Sequence, residues 1–206
     1  MYIPKNMLMQ GDDAIASFIS EFGFGSLISP DLEVTRLPML FEADYAEKGR
    51  IVGHMARANP QWRGLTGQRV SVLFDGPHAY VAAKWYETTP AVPTWNYASV
   101  QCFGRFVELN EADTLEAMNN LIRKYEPELL LDRARMPAEY VDKLRKAVVG
   151  FSIIVDDIHA KEKLGQHKKA GDQQQVFNAL SNSAMTEAQQ LAGYMKKRQL
   201  GTGIEH

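Results

Sequence analysis

Cysteine is almost absent. Cys102 is the only one in 206 residues, so no intramolecular disulfide can form and a cysteine-built metal site is not expected. That fits a reducing compartment. Long apolar runs are missing as well. No stretch reaches the ~18 apolar residues of a membrane span, and the opening MYIPKNMLMQGDD lacks an apolar signal core. The expectation is a cytoplasmic protein with no membrane partner. Charge of one sign is also lacking: the net charge is -2, which gives no global positive field toward nucleic acid. There are no repeats and no low-complexity tract. G-x-G-x-x-G after a strand, G-x-x-x-x-G-K-[ST], H-E-x-x-H and G-x-S-x-G do not occur. The five histidines, His54, His78, His159, His167 and His206, have no paired metal spacing. Asp156 and Asp157 would point to opposite faces of a strand, so they form no acid/base dyad. No nucleophile or general base is specified.

What is present describes an ordinary globular chain, 45% hydrophobic and 23% charged. Ile15, Phe18, Ile19 and Phe22 have the spacing of an amphipathic helix, with Asp12 or Asp13 as cap. A β-rich block follows: FGSLIS, LEVTRLPML, RIVGHMA, Gln68 to Phe74, His78 to Ala83 after a Gly76-Pro77 turn, and Tyr97 to Val107. Close strands with no helices between them predict an antiparallel barrel or sandwich. Leu115, Met118, Ile122 and Tyr125 predict a helix from Glu111 on, and Pro137 to Ala147 another. Gly150 to Ile158 returns to strand, and the tail reads as helical through Met195. The whole is α+β, mainly β, as a single domain over residues 1–200, with 201–206 a flexible tail.

Three clusters carry chemistry. In GHMARANPQW, His54, Arg57, Asn59 and Gln61 stand at a strand end. Arg57 could grip a phosphate or carboxylate; a polar strand end with a capping Asn explains the same residues. Phe74 to Tyr97 holds two of the three tryptophans and three of the eight tyrosines. Such a surface suits a planar heteroaromatic ring, or an aromatic subunit interface. In AKEKLGQHKKAGD, Lys161, Lys163, His167, Lys168 and Lys169 form a positive patch that either binds phosphate or is a solvated loop, the commoner outcome for any one lysine.

GHMARANPQW, FDGPHAYV, KWYETTPAVPTWNYASV and KLGQH, in this order and after the opening MYIPK, resemble the PaiB family over nearly the whole chain. Members are known as flavin-binding proteins and as negative transcriptional regulators. The resemblance implies a six-stranded antiparallel FMN-binding split barrel with flanking helices, a homodimer, and FMN or a similar planar anionic ligand at the subunit interface. DNA contact enters only through the regulator name. By similarity, His54, Arg57 and Asn59 belong to the cofactor pocket. Trp85, Tyr86, Thr94, Trp95 and Asn96 would line the ring side, and Lys163 and Gln166 would reach the same cleft. The chain departs from the family pattern at Ala82-Ala83-Lys84, at Gln101, at Thr35-Arg36 and at Gly165 and His167. Lys84 and Arg36 could replace lost phosphate ligands by charge. The function implied is a dimeric regulator or flavin-linked sensor; the alternative is a flavin-dependent oxidoreductase using NAD(P)H. Haem in place of flavin stays open.

Overall fold

The computed structural model describes residues 1–132 and 134–204. Six antiparallel strands close a barrel: β1 (Phe24–Ile28), β2 (Val34–Glu42), β3 (Arg50–Ala56), β4 (Arg69–Val81), β5 (Thr94–Glu108) and β6 (Val148–Lys163), arranged β1-β2-β3-β6-β5-β4. Five helices accompany them: α1 (Asp12–Glu21), α2 (Glu111–Tyr125), α3 (Ala138–Lys146), α4 (Ala170–Ser181) and α5 (Thr186–Arg198). The mainly β, six-stranded barrel expected from the sequence is what forms. The chain divides into two compact units. One comprises Asp12–Phe74 and Val100–His159; the other comprises Met1–Gly11, Asp75–Ser99 and the chain from Ala160 on.

In the Asp12–Phe74 and Val100–His159 unit, period-two burial builds the core. On β5, Val100, Cys102 and Phe106 are fully buried, while Arg105 is exposed. On β6, Val149, Phe151, Ile153 and Val155 face the same interior, and Phe151 stacks on Phe106 at 5.2 Å. Gly53 pairs with Phe151 across β3 and β6, and a Cβ there would lie 2.9 Å from the Phe151 ring, so the glycine makes room for the aromatic. Asn110 caps α2, its Oδ1 accepting the Asp113 N–H at 2.9 Å. The helix expected from Glu111 on forms as α2, and its buried residues are Thr114, Ala117 and Leu121. A Cβ on Gly150 would meet Thr114 Oγ1 at 2.4 Å, so Thr114 packs directly against the β6 backbone.

Two other expectations change. No turn forms at Gly76-Pro77; β4 runs straight through it. Its buried side moves from Val70, Val72 and Phe74 to Pro77, Ala79 and Val81, so one extra residue is absorbed there, as at a bulge. β6 is longer than Gly150 to Ile158, and takes Lys161 and Lys163 out of the predicted loop.

In the other unit, α4 and α5 bury Val176, Leu180, Leu191 and Met195. Buried Glu162 on β6 accepts the Tyr194 hydroxyl at 2.6 Å and Arg198 Nε at 2.7 Å, which ties α5 to the strand. Gly201 and Thr202 are buried; residues 205–206 of the tail expected to be flexible lie outside the described residues.

Two alanine substitutions should move stability in opposite directions. At Gly104 a Cβ would sit 2.3 Å from the Ile154 carbonyl oxygen, backbone that cannot yield cheaply. Gly104→Ala should cost ~1–3 kcal/mol or more. Gly193, exposed within α5, has nothing within 4 Å, and Gly193→Ala should add ~0.5–1 kcal/mol. Thermal or urea unfolding of both variants checks this; a neutral Gly104→Ala would contradict the packing described.

Candidate functional site

The second unit carries an outward face rich in cations and rings. Lys161 and Lys163 lie two apart on β6 and so share a side. Lys161 is only 8% exposed. Its Nζ donates to the Tyr2 carbonyl at 3.1 Å and lies 5.2 Å from the Tyr97 ring and 5.9 Å from the Tyr2 ring. Lys163 Nζ donates to the Thr94 hydroxyl. Among the described residues neither ammonium has a carboxylate partner. Lys168 lies 5.1 Å from the Tyr86 ring. Burial first, then the neighbouring Lys168 and Lys163, pull the pKa of His167 below its ordinary value.

In the same unit, β4 and β5 expose an aromatic group. Trp95, half exposed, packs against His78 at 5.7 Å and Tyr80 at 6.2 Å. Trp85 sits half-buried in a short 3-10 turn, Ala83–Trp85. The residues after it are pinned by Asp172, whose Oδ1 accepts the N–H groups of Glu87 and Thr88 at 2.9 Å each. Those bonds, the Thr88 N–H foremost, hold the Asp172 carboxyl below the usual range. Burial raises the pKa of the Tyr86 phenol, with Asp172 adding to the shift. Tyr86 and Asn96 line a void of about 10 Å³ with Lys168 and Gly165, room for at most one water. Gln166 spends its whole amide on structure: Oε1 accepts the Leu164 N–H at 2.8 Å, and Nε2 donates to the carbonyls of Glu162 and Asn6 at 2.6 and 2.9 Å.

The GHMARANPQW segment lies in the other unit and is heavily committed to backbone. Arg57 Nε donates to the Lys146 carbonyl at 2.9 Å and Nη2 to the Val148 carbonyl at 2.8 Å, so the guanidinium caps the end of α3 and the start of β6. It also borders a cleft of about 530 Å³ with Asn110, Glu111, Arg145 and Lys146. Arg145 there is taken by Glu111 at 2.6 Å and Asp142 at 2.7 Å. Asn59 Oδ1 accepts the Gln61 N–H at 3.0 Å while Nδ2 donates to Thr35 Oγ1 at 2.9 Å. Buried Gln61 donates to the Glu33 carbonyl at 2.8 Å, which secures the turn between β1 and β2. His54 is half-buried; its Nδ1 is shielded and has no hydrogen-bond partner among the described residues, and burial lowers its pKa.

Of the ten residues proposed from sequence, Thr94 and Lys163 are thus in direct contact, with Trp95 next in the chain. Tyr86 and Asn96 line one small void, and Gln166 and Asn59 act as clips. Lys161, read as part of a positive patch that either binds phosphate or is a solvated loop, lies on a strand. The alternation Ile158-His159-Ala160-Lys161-Glu162-Lys163 is the signal that would have kept it on the strand.

Comparison with known proteins agrees with this architecture. A family model described as "Putative FMN-binding domain" matches residues 1–157. The Bacillus subtilis (strain 168) protein named "Protease synthase and sporulation protein PAI 2" is 33% identical, covering 96% of this chain and 98% of its own. Among solved structures, the flavocytochrome Anf3 from Azotobacter vinelandii superposes with a TM-score of 0.63 at 15% identity, over 80% of this chain and 73% of that one. The FAD and haem binding protein from Mycobacterium smegmatis does so with a TM-score of 0.57 at 15% identity, over 77% and 74%. At these identities the two structures speak to the fold.

His54 makes stability depend on pH. Its folded pKa is depressed, so the unfolded chain binds the proton more readily, and the stabilisation is complete above the unfolded value near 6.5. It should be lost progressively as pH falls below that value toward the folded pKa. His54→Gln should flatten the dependence of unfolding midpoint on pH between ~7 and ~5. Parallel profiles for the two proteins would rule this origin out.

Proposed function

Since this chain belongs to the FMN-binding domain family of the PaiB type, we propose that it binds FMN on the cation and ring face of its second unit and uses it as a regulatory ligand. One observation carries the reading: Lys161 and Lys163 stand two apart on β6 with neutral acceptors only, Lys161 beside the Tyr97 ring and Lys163 on the hydroxyl of Thr94, the residue that precedes exposed Trp95. The donor set fits FMN chemically. A phosphate dianion calls for cations and a hydroxyl that no protein carboxylate already neutralises; the ring calls for flat apolar faces.

Lys163 and the Thr94 hydroxyl would hold the phosphate, with Lys161 supplying a second positive charge. Trp95 and Tyr80 would orient the ring and keep water from one side of it. When bound, flavin supplies hydride and single-electron redox chemistry. The cluster of Lys161, Lys163 and Lys168 would draw an anionic ligand in and make its capture dependent on salt.

The regulatory output is suggested by the Bacillus subtilis relative, whose name links it to protease synthesis and sporulation. Ligand binding would act by favouring one of two states of the protein, in proportion to its differential affinity for them. We assign the working form as a cytoplasmic homodimer. The exposed aromatics support the dimer, and the scarcity of cysteine, Cys102 alone, supports a reducing compartment.

FMN titration followed by flavin fluorescence tests this. Quenching is expected, with Lys163→Ala weakening it by about tenfold or more, the cost of one hydrogen bond to a charged group. Riboflavin, which lacks the phosphate, should bind correspondingly less tightly. Equal affinity for FMN and riboflavin would remove the lysines from the site. Sustained NAD(P)H oxidation by the FMN-loaded protein, above that of free FMN, would favour the oxidoreductase instead.

A further inference from the structure

The segment that covers Lys161 is built differently from everything around it. Residues 1–8 lie across the second unit, and none of them is buried. Among the bonds that hold them there are the Tyr2 carbonyl to Lys161 Nζ at 3.1 Å, the Ser99 hydroxyl to Met1 Sδ at 3.6 Å, the Asn6 carbonyl to Gln166 Nε2 at 2.9 Å, and an isolated bridge from Leu8 to Lys161. The firm attachment comes only at Met9, which is 2% exposed and whose N–H donates to the Ala160 carbonyl at 3.1 Å. Gly11 follows at φ +90° with open space around it. A segment with exposed hydrogen bonds, one buried anchor and a glycine behind that anchor opens at low cost.

What it covers wants an anion. Lys161 is more than nine-tenths buried, yet its ammonium has one carbonyl and two ring faces, and no carboxylate. Burial of an unneutralised ammonium is unfavourable, and neutral acceptors offset only part of that. Its strand neighbour shows the contrast: buried Glu162 is fully matched by Arg198 and Tyr194. Tyr2, 83% exposed, is the piece that both shields Lys161 and occupies it.

We propose that residues 1–8 are a movable cover over an anion anchor at Lys161, displaced when a phosphate-bearing ligand binds. This rests on the FMN reading for the ligand, but not for the cover. Gln166 couples the cover to the turn after β6: the amide that holds Asn6 also holds Leu164 and Glu162. Lifting the cover frees one bond of that clip, so ligand capture at Lys163 is relayed into residues 164–169.

Two measurements decide it. First, the full-length chain and a version lacking residues 1–4 are acylated with an amine-specific reagent and mapped by mass spectrometry. Lys196 on α5 serves as the exposed reference. Lys161 should react about tenfold faster once the Tyr2 carbonyl and ring are gone, with Tyr2→Ala in between. An unchanged rate overturns the cover. Second, hydrogen exchange of amides 2–8 is followed with and without saturating FMN. Faster exchange with FMN is expected; slower or unchanged exchange means the segment does not leave on binding, and overturns the displacement. If FMN fails to bind both proteins, the FMN reading and the displacement fall together, while the acylation result still decides the cover. FMN binding only to the shortened chain would support the cover and overturn its displacement by the ligand.

Discussion

A strand can turn only alternate residues toward its core, and this structure follows from where that rule holds and where it slips. On β5 it holds throughout: Asn96, Ala98, Val100, Cys102, Gly104 and Phe106 are all buried. β4 slips once between Phe74 and Pro77, and β6 slips once between Val155 and Ala160. A one-residue slip turns over every side chain that follows. Without it, Lys161 would share the face of Phe151, Ile153 and Val155, an unpaired ammonium in an apolar stack. With it, Lys161 meets Tyr97, and Glu162 turns to Tyr194 and Arg198.

Charge is handled in two ways, and the contrast separates structure from site. Glu162, Arg145 and Asp172 are matched by charged groups or by backbone N–H donors, and they hold elements together. Lys161 and Lys163 are left with a carbonyl, a hydroxyl and ring faces. Arg57 looks the more functional residue on chemical grounds, but two backbone carbonyls engage its guanidinium. Asn59 and Gln61 fasten a turn. The segment most suggestive of ligand chemistry is thus largely engaged in holding β2, β3 and α3, while the lysines of an apparent surface loop keep donors to spare.

The helices and most strands were legible because their evidence is local. The spacing of Phe18 and Ile19, the run from Tyr97 to Val107 and the helix from Glu111 on each depend on a few neighbours in sequence. Strand continuity through Gly76-Pro77 was not legible, since a glycine and a proline in succession signal a turn unless a partner strand accommodates an extra residue. Nor was the close seat of α2 on β6 legible, since Thr114 packs against Gly150, far along the chain.

By itself the sequence determined the α+β, barrel-like class, the position of the aromatic surface between Phe74 and Tyr97, and the family, all of which rest on periodicity and on strings of adjacent residues. Only the tertiary structure decided which polar groups are spent and which remain available. Lys161 meets Tyr2 across 159 positions, Arg57 meets Val148 across 91, and Lys163 meets Thr94 across 69. Whether a charge is neutralised depends on groups within a few ångströms, and chain folding, not sequence proximity, brings those groups there.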